Sequence, residues 1–195
     1  MRTFIVAPIL SLMLAAPALA AGHAADPPAP AAAPAACPST LQYSFDRLQD
    51  EKPQSLCQYT GKVLLVVNTA SFCGFTRQYQ GLEALYGRYR DRGLVVLGFP
   101  SNDFAQEKGS NQEIAAFCEN TFGVKFPMFA KSHVAGRQAS DFYQSLAAQA
   151  NGQQPAWNFH KYLLGRDGRV VGSYPSKVEP DDPRLIAEIE RLLAR

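Results

Sequence analysis

Two stretches of this chain, VLLVVN at 63–68 and LVVLGFP at 94–100, are continuous apolar runs rich in β-branched residues. A strand of that composition has no polar face to turn toward water, so it suits a sheet covered on both sides. Between the runs, Leu82, Leu85, Tyr86 and Tyr89 recur at helical spacing, which predicts a helix over roughly Thr76 to Arg90, closed by Gly93. Strand, helix and strand in that order predict two neighbouring strands joined by a crossover helix.

The remaining pattern completes a small α/β domain. Residues 42–50 suit a short edge hairpin or an irregular start. Ser110 and Glu113 form a capping-box pattern that opens a second helix, SNQEIAAFCENTFG, with Ile114, Phe117 and Cys118 on its apolar face. MFAK after Pro127 suits a short extended piece, and a helix is expected near 138–149. WNFHKYLL (157–164) and RVVGSY (169–174) flank Gly165-Arg166-Asp167-Gly168, the turn chemistry of a hairpin. A last helix begins with Asp182 as N-cap and Pro183 in its first turn. The order β-α-β-α-β-β-α implies a mixed central sheet with helices on both faces.

The chain has 195 residues, enough for one domain with a buried core, and a formal charge of +2. That balance, without a dense basic stripe, points to neither nucleic acid nor an anionic membrane as partner. Arg2, the apolar run Phe4 to Leu14 and Ala18-Leu19-Ala20 have the layout of a secretory signal peptide over 1–20. The run is too short to span a bilayer, so no stable membrane insertion is expected. Residues 21–36 are Ala/Pro-rich and read as a tether, leaving a folded domain at 37–195. Signal and tether together suit a periplasmic protein.

Export bears on the four cysteines, because disulfides persist outside the cytosol. Cys37 and Cys57 lie close together ahead of the first strong strand, and a structural bridge between them is expected. That leaves Cys73 and Cys118 for redox work. On cysteine count alone, two structural bridges with no redox role would be the better reading. Cys73 sits where a buried strand gives way to a helix, the place where reactive groups gather in open α/β sheets. A helix N-terminus favours thiolate over thiol, and Arg77 would add positive charge if it pointed inward. A thiolate there can attack a peroxide O–O bond and become a sulfenic acid. The alternative is an inert core cysteine packed by Phe72 and Phe75.

Three well-spaced motifs, VVNTASFCGFTRQYQGLEALY, LGFPSNDFAQE and WNFHKYLL, closely resemble the glutathione peroxidase family over about residues 43–193. The resemblance implies a thioredoxin-like fold, peroxidase activity in response to oxidative stress, and Cys73 as the peroxidatic residue. It implies that Trp157 and Asn158 act as hydrogen-bond donors to the sulfur or to the peroxide oxygen. The family's glutamine, in a pattern like N-Q-F, falls at Asp103 here, in a loop one residue shorter. Asp103 then either accepts a proton or turns outward with Gln106 taking its place. Cys118 matches the helix cysteine that resolves the sulfenic acid in thioredoxin-dependent members.

The expected electron donor is a thioredoxin-like protein or glutathione, although no glutathione-binding motif is visible, and no cofactor is called for. No Cys/His spacing matches a zinc site, and His133 and His160 read as surface or packing residues. Cys73-Gly74-Phe75-Thr76 lacks the second cysteine of a C-x-x-C, which argues against a thiol–disulfide oxidoreductase. Neither histidine lies in a partner motif for a cysteine hydrolase. A non-catalytic envelope module with structural cysteines is the remaining rival. The short stretch between Phe142 and Trp157 lacks the insertion that family tetramers use, so a monomer is expected.

Overall fold

A computed structural model describes residues 36–107 and 109–195, with Thr3 on its own. The expected signal peptide and all but the last residue of the expected tether otherwise lie outside the described residues. The chain divides into units 1–33 and 34–195, and the second carries the fold.

The two apolar runs are the adjacent parallel strands β3 (Val63–Thr69) and β4 (Leu94–Pro100), in register from Val63↔Leu94 to Thr69↔Pro100. They are joined by α1 (Gln78–Tyr89), which starts later than its hydrophobic pattern suggested. The residues before it are spent on i to i+3 turns, Thr76 to Cys73 and Gln78 to Phe75. A 3-10 turn at Arg90–Arg92 follows, and Gly93 ends it at φ 105°, a left-handed conformation that glycine adopts without strain. Two short strands ahead of this unit, β1 (Ser44–Asp46) and β2 (Pro53–Ser55), form a separate two-stranded antiparallel sheet whose second strand lies beyond the 42–50 expected for a hairpin. The hairpin β5 (Lys161–Leu164) and β6 (Val170–Tyr174) adds antiparallel to β3. The main sheet therefore has four strands in the order β4-β3-β5-β6, the mixed thioredoxin-like sheet.

Strand alternation assigns each face its own core. Val63, Leu65 and Val67 pack toward α1, α2 (Asn111–Phe122) and α4 (Pro183–Leu193). Leu64 and Val66 pack toward α3 (Asp141–Gln149) and an aromatic cluster in which Phe99 stacks on Phe129 at 4.7 Å. Each fully buried aliphatic side chain contributes roughly 1.5–3 kcal/mol. Gly98 sits mid-strand because the segment around Met128 bridges to it, and a Cβ there would collide with the Met128 sulfur.

The caps follow their sequence signals. Ser110 and Glu113 form a reciprocal capping box at the start of α2, Ser140 caps α3, and Asp182 caps α4 with Pro183 as its first residue. A Cys37–Cys57 disulfide ties the 3-10 turns at Ser39–Leu41 and Leu56–Tyr59 together. Among the described residues no helix is long and apolar enough to cross a membrane.

One expected strand is cut short. WNFHKYLL pairs only from Lys161 onward. Phe159 adopts φ 63°, and at the end of β3 the Asn68 side chain adds to the backbone bonds that Asn68 makes with Phe159 and His160. Asn68 Nδ2 donates to the Trp157 carbonyl at 3.1 Å, and Asn68 Oδ1 accepts from the His160 amide at 3.0 Å.

Candidate active site

Cys73 lies in the turns between β3 and α1, 8% exposed. Thr76 holds it in place: the Cys73 amide donates to Thr76 Oγ1, which in turn donates to the Ala70 carbonyl, both at 3.0 Å. The Phe75 amide donates to Cys73 Sγ at 3.4 Å, so a backbone donor already faces the sulfur. Arg77 does not point inward. Its side chain is exposed and pairs with Glu179 at 3.5 Å, so the sulfur site does not gain the cation that the sequence allowed.

Three segments converge beside this cysteine. The Phe72 amide donates to the Gln106 carbonyl at 3.1 Å, which stitches the loop after β4 to the Cys73 turn. Asn158 is fully buried, and its Nδ2 donates to Gln106 Oε1 at 3.0 Å. An amide nitrogen carries two N–H groups, so Asn158 retains one and Gln106 its own pair for a third group. Trp157 is 41% exposed, and its ring lies 5.4 Å from that of Phe104 in the same loop.

Asp103 is not part of this convergence. Its carboxylate accepts the Val134 and Ala135 amides at 2.6 and 3.0 Å and meets His133 Nδ1 at 2.6 Å. Burial alone would raise this carboxyl, but those three donors hold it below the usual carboxylate range. Gln106, not Asp103, therefore stands against Asn158. Asp103 is committed to bracing its loop against residues 133–135. His133 is exposed. His160 is buried, and burial, helped by Lys161, pushes it down to about 4.

Cys118 is 3% exposed on α2 and belongs to the same apolar cluster as Cys73. Burial pushes its thiol up to about 11; the Glu107 charge adds to this and the Tyr79 hydroxyl opposes it. Glu107 is itself fully buried, and burial raises its carboxyl even though Ser71 Oγ donates to it at 3.0 Å. Glu107, Ser71, Phe72, Ile114 and Phe117 line a cavity of about 310 Å³ between the Cys73 turn and α2.

Two positioning residues escaped the sequence reading. Asn68 carried a usable signal, as the one polar residue in a run otherwise made of buried aliphatics. Glu107 carried none, because an acidic residue in a polar loop gives no hint of burial. Among the described residues no group of three or more His, Cys, Asp or Glu is clustered to hold a metal.

Comparison with known proteins gives the family. The glutathione peroxidase family model matches residues 41–147. The hydroperoxy fatty acid reductase gpx1 of Synechocystis is 48% identical over 154 residues, covering 74% of this chain and 90% of that protein. The thioredoxin/glutathione peroxidase BtuE of Escherichia coli is 39% identical over 170 residues, covering 75% and 93%. A crystal structure of Trgpx in apo form superposes with a TM-score of 0.63 at 33% identity, covering 80% of this chain and 96% of that one. With a family match over more than half its length and a thiol set among amide donors on a thioredoxin-like sheet, the chain belongs to the glutathione peroxidase family and is a peroxidase.

Proposed function

We propose that this protein is a two-cysteine thiol peroxidase working through Cys73. The Cys73 thiolate attacks one peroxide oxygen; an S–O bond forms, the O–O bond breaks, and water or an alcohol leaves after taking up a proton. Cys73 is left as sulfenic acid. Trp157, Asn158 and Gln106 donate to the sulfur before attack and to the departing oxygen during it. The observation that carries this reading is the Asn158–Gln106 amide pair, tied to the Cys73 turn through Phe72.

Cys118 then attacks the sulfenic sulfur, forming a disulfide and releasing water. Its buried thiol must first leave the apolar cluster, so α2 opens locally before this step. A thioredoxin-like dithiol restores both thiols. The name of the Escherichia coli relative carries both thioredoxin and glutathione; the expected export from the cytosol favours a thioredoxin-like dithiol of the envelope over cytosolic glutathione. Phe72, 69% exposed, and Trp157 give the site an apolar rim. That rim, and the hydroperoxy fatty acid named for the Synechocystis relative, support organic hydroperoxides as substrates beside hydrogen peroxide. The leader-like N-terminus supports a periplasmic location, the short stretch between Phe142 and Trp157 supports a monomer, and peroxide reduction supports a role against oxidative stress.

Steady-state peroxide consumption, with a thioredoxin system or glutathione as the only reductant, tests the donor. The account expects full turnover with the dithiol and little with glutathione. Equal rates with both would overturn that part. Peroxide consumption by Cys73→Ser at the wild-type rate would overturn the whole.

A further inference from the structure

Lys161 is a buried cation that the reaction above does not use. It opens β5, opposite Val67 of β3 and Tyr174 of β6, and none of it reaches solvent. Lysine is almost never fully buried without a partner. Here the partners are neutral: Nζ donates to Gln78 Oε1 at 2.6 Å and to the Phe159 carbonyl at 2.7 Å.

The identity of those acceptors matters. Gln78 is the first residue of α1, just beyond the Cys73 turns, and its amide also donates to the Ser176 carbonyl at 2.7 Å. Phe159 directly follows Trp157 and Asn158 and sits at φ 63°. A bulky side chain keeps that left-handed conformation only where its surroundings impose it. Asn68 imposes it from the amide side, accepting the Phe159 N–H on its backbone carbonyl at 2.6 Å. Lys161 imposes it from the carbonyl side.

We propose that Lys161 is a positioning residue whose ammonium locks the loop carrying Trp157 and Asn158 to the first turn of α1, fixing those donors relative to Cys73. The proposal rests on the Cys73 site described above. A methionine here would avoid desolvating a charge but would leave both acceptors without their donor.

Burial brings Lys161 down to about 7, against the pull of Glu179. The other titratable groups around it are few. His160, its chain neighbour, stays neutral above about 4. Tyr174 faces it from β6, and its phenol is raised by burial. Arg77 on the α1 side is engaged by Glu179. Near neutral pH the clamp therefore passes from ammonium to amine and its hydrogen bonds lose their charge assistance.

Trp157 is the only tryptophan in the chain, so its emission reports on this loop. The test uses the reduced full chain, wild type beside Lys161→Met and Gln78→Ala. It records tryptophan emission and acrylamide quenching against pH, and the single-turnover rate with hydrogen peroxide. The wild type is expected to show an emission transition with its midpoint near 7. Lys161→Met should lack the transition and react about tenfold or more slowly below it, the scale of effect of a small misplacement of reacting groups. Gln78→Ala, which removes one of the two acceptors, should shift the midpoint and slow the reaction less.

A Lys161→Met protein with wild-type emission and rate overturns the proposal. So does one that only melts earlier while both signals stay put. If Lys161→Met does not fold, Gln78→Ala decides, and an unmoved midpoint and rate overturn the proposal. Cys73→Ser runs alongside: if it reduces peroxide normally, the Cys73 site has failed rather than the clamp.

Discussion

Asn158 Nδ2 donates to Gln106 Oε1 across 3.0 Å, joining the loop before β5 to the loop after β4. The bond aligns two primary amides beside the Cys73 turn and leaves N–H groups on both for a third partner. Asp103, three positions earlier in the same loop, has every carboxylate contact turned toward residues 133–135. Donors matter at this site because negative charge moves from sulfur to oxygen as the O–O bond breaks, and a carboxylate would oppose it.

Gln106→Ala is expected to slow the single-turnover reaction of Cys73 with hydrogen peroxide by about 10²-fold, the usual loss when one preorganised donor to a developing oxyanion is removed. Asp103→Asn should have a clearly smaller effect, since its contacts serve the loop. Rapid-mixing tryptophan fluorescence separates the two. An Asp103→Asn defect as large as that of Gln106→Ala would return Asp103 to the site.

Much of this was legible beforehand. Two buried runs around a helical period fixed the parallel pair, and turn chemistry at 165–168 fixed the hairpin. The Cys37–Cys57 bridge followed from sequence proximity. The N-terminal half of WNFHKYLL was not legible, because apolar spacing says nothing of a left-handed Phe159 or of a side chain on β3 that bonds to the backbone around it. At the glutamine position the sequence left two alternatives open, Asp103 in place or Asp103 turned outward with Gln106 instead. Counting from Asn102 ignores how a loop one residue shorter closes, and only its hydrogen bonds put Gln106 against Asn158.

Asn68→Ala tests the capture of that loop. It leaves the Trp157 carbonyl and the His160 amide without their partner, and each buried orphan costs about 1–3 kcal/mol. A drop of roughly 2–4 kcal/mol in denaturant-unfolding free energy is expected. A change under half a kilocalorie, roughly the scatter of ordinary surface substitutions, would contradict it.

The disulfide closes a short loop, with its cysteines 20 residues apart. Replacing both Cys37 and Cys57 by serine should lower stability by about 3 kcal/mol while the peroxide reaction of Cys73 persists, because the bridge restrains mainly the unfolded chain. Loss of the reaction in a folded variant would tie the bridge to the site.

His160 sets an acid limit. Its folded value, about 4, lies below the 6.5 of an unperturbed histidine, so the unfolded chain binds the extra proton first as pH falls. Its contribution is complete above 6.5 and is lost on descent toward 4. Melting temperature should therefore fall across that window in the wild type, and fall less steeply in His160→Gln. Parallel curves for the two proteins would contradict the assignment.

The most direct test of the account is mass spectrometry after one equivalent of hydrogen peroxide, on protein with Cys73 and Cys118 as thiols and the Cys37–Cys57 bridge retained, with Cys118→Ser beside the wild type. The account predicts a new Cys73–Cys118 bridge in the wild type, next to the intact Cys37–Cys57 bridge. It predicts a trappable sulfenic acid on Cys73 in Cys118→Ser. A Cys73 that stays an unmodified thiol in both proteins would contradict it.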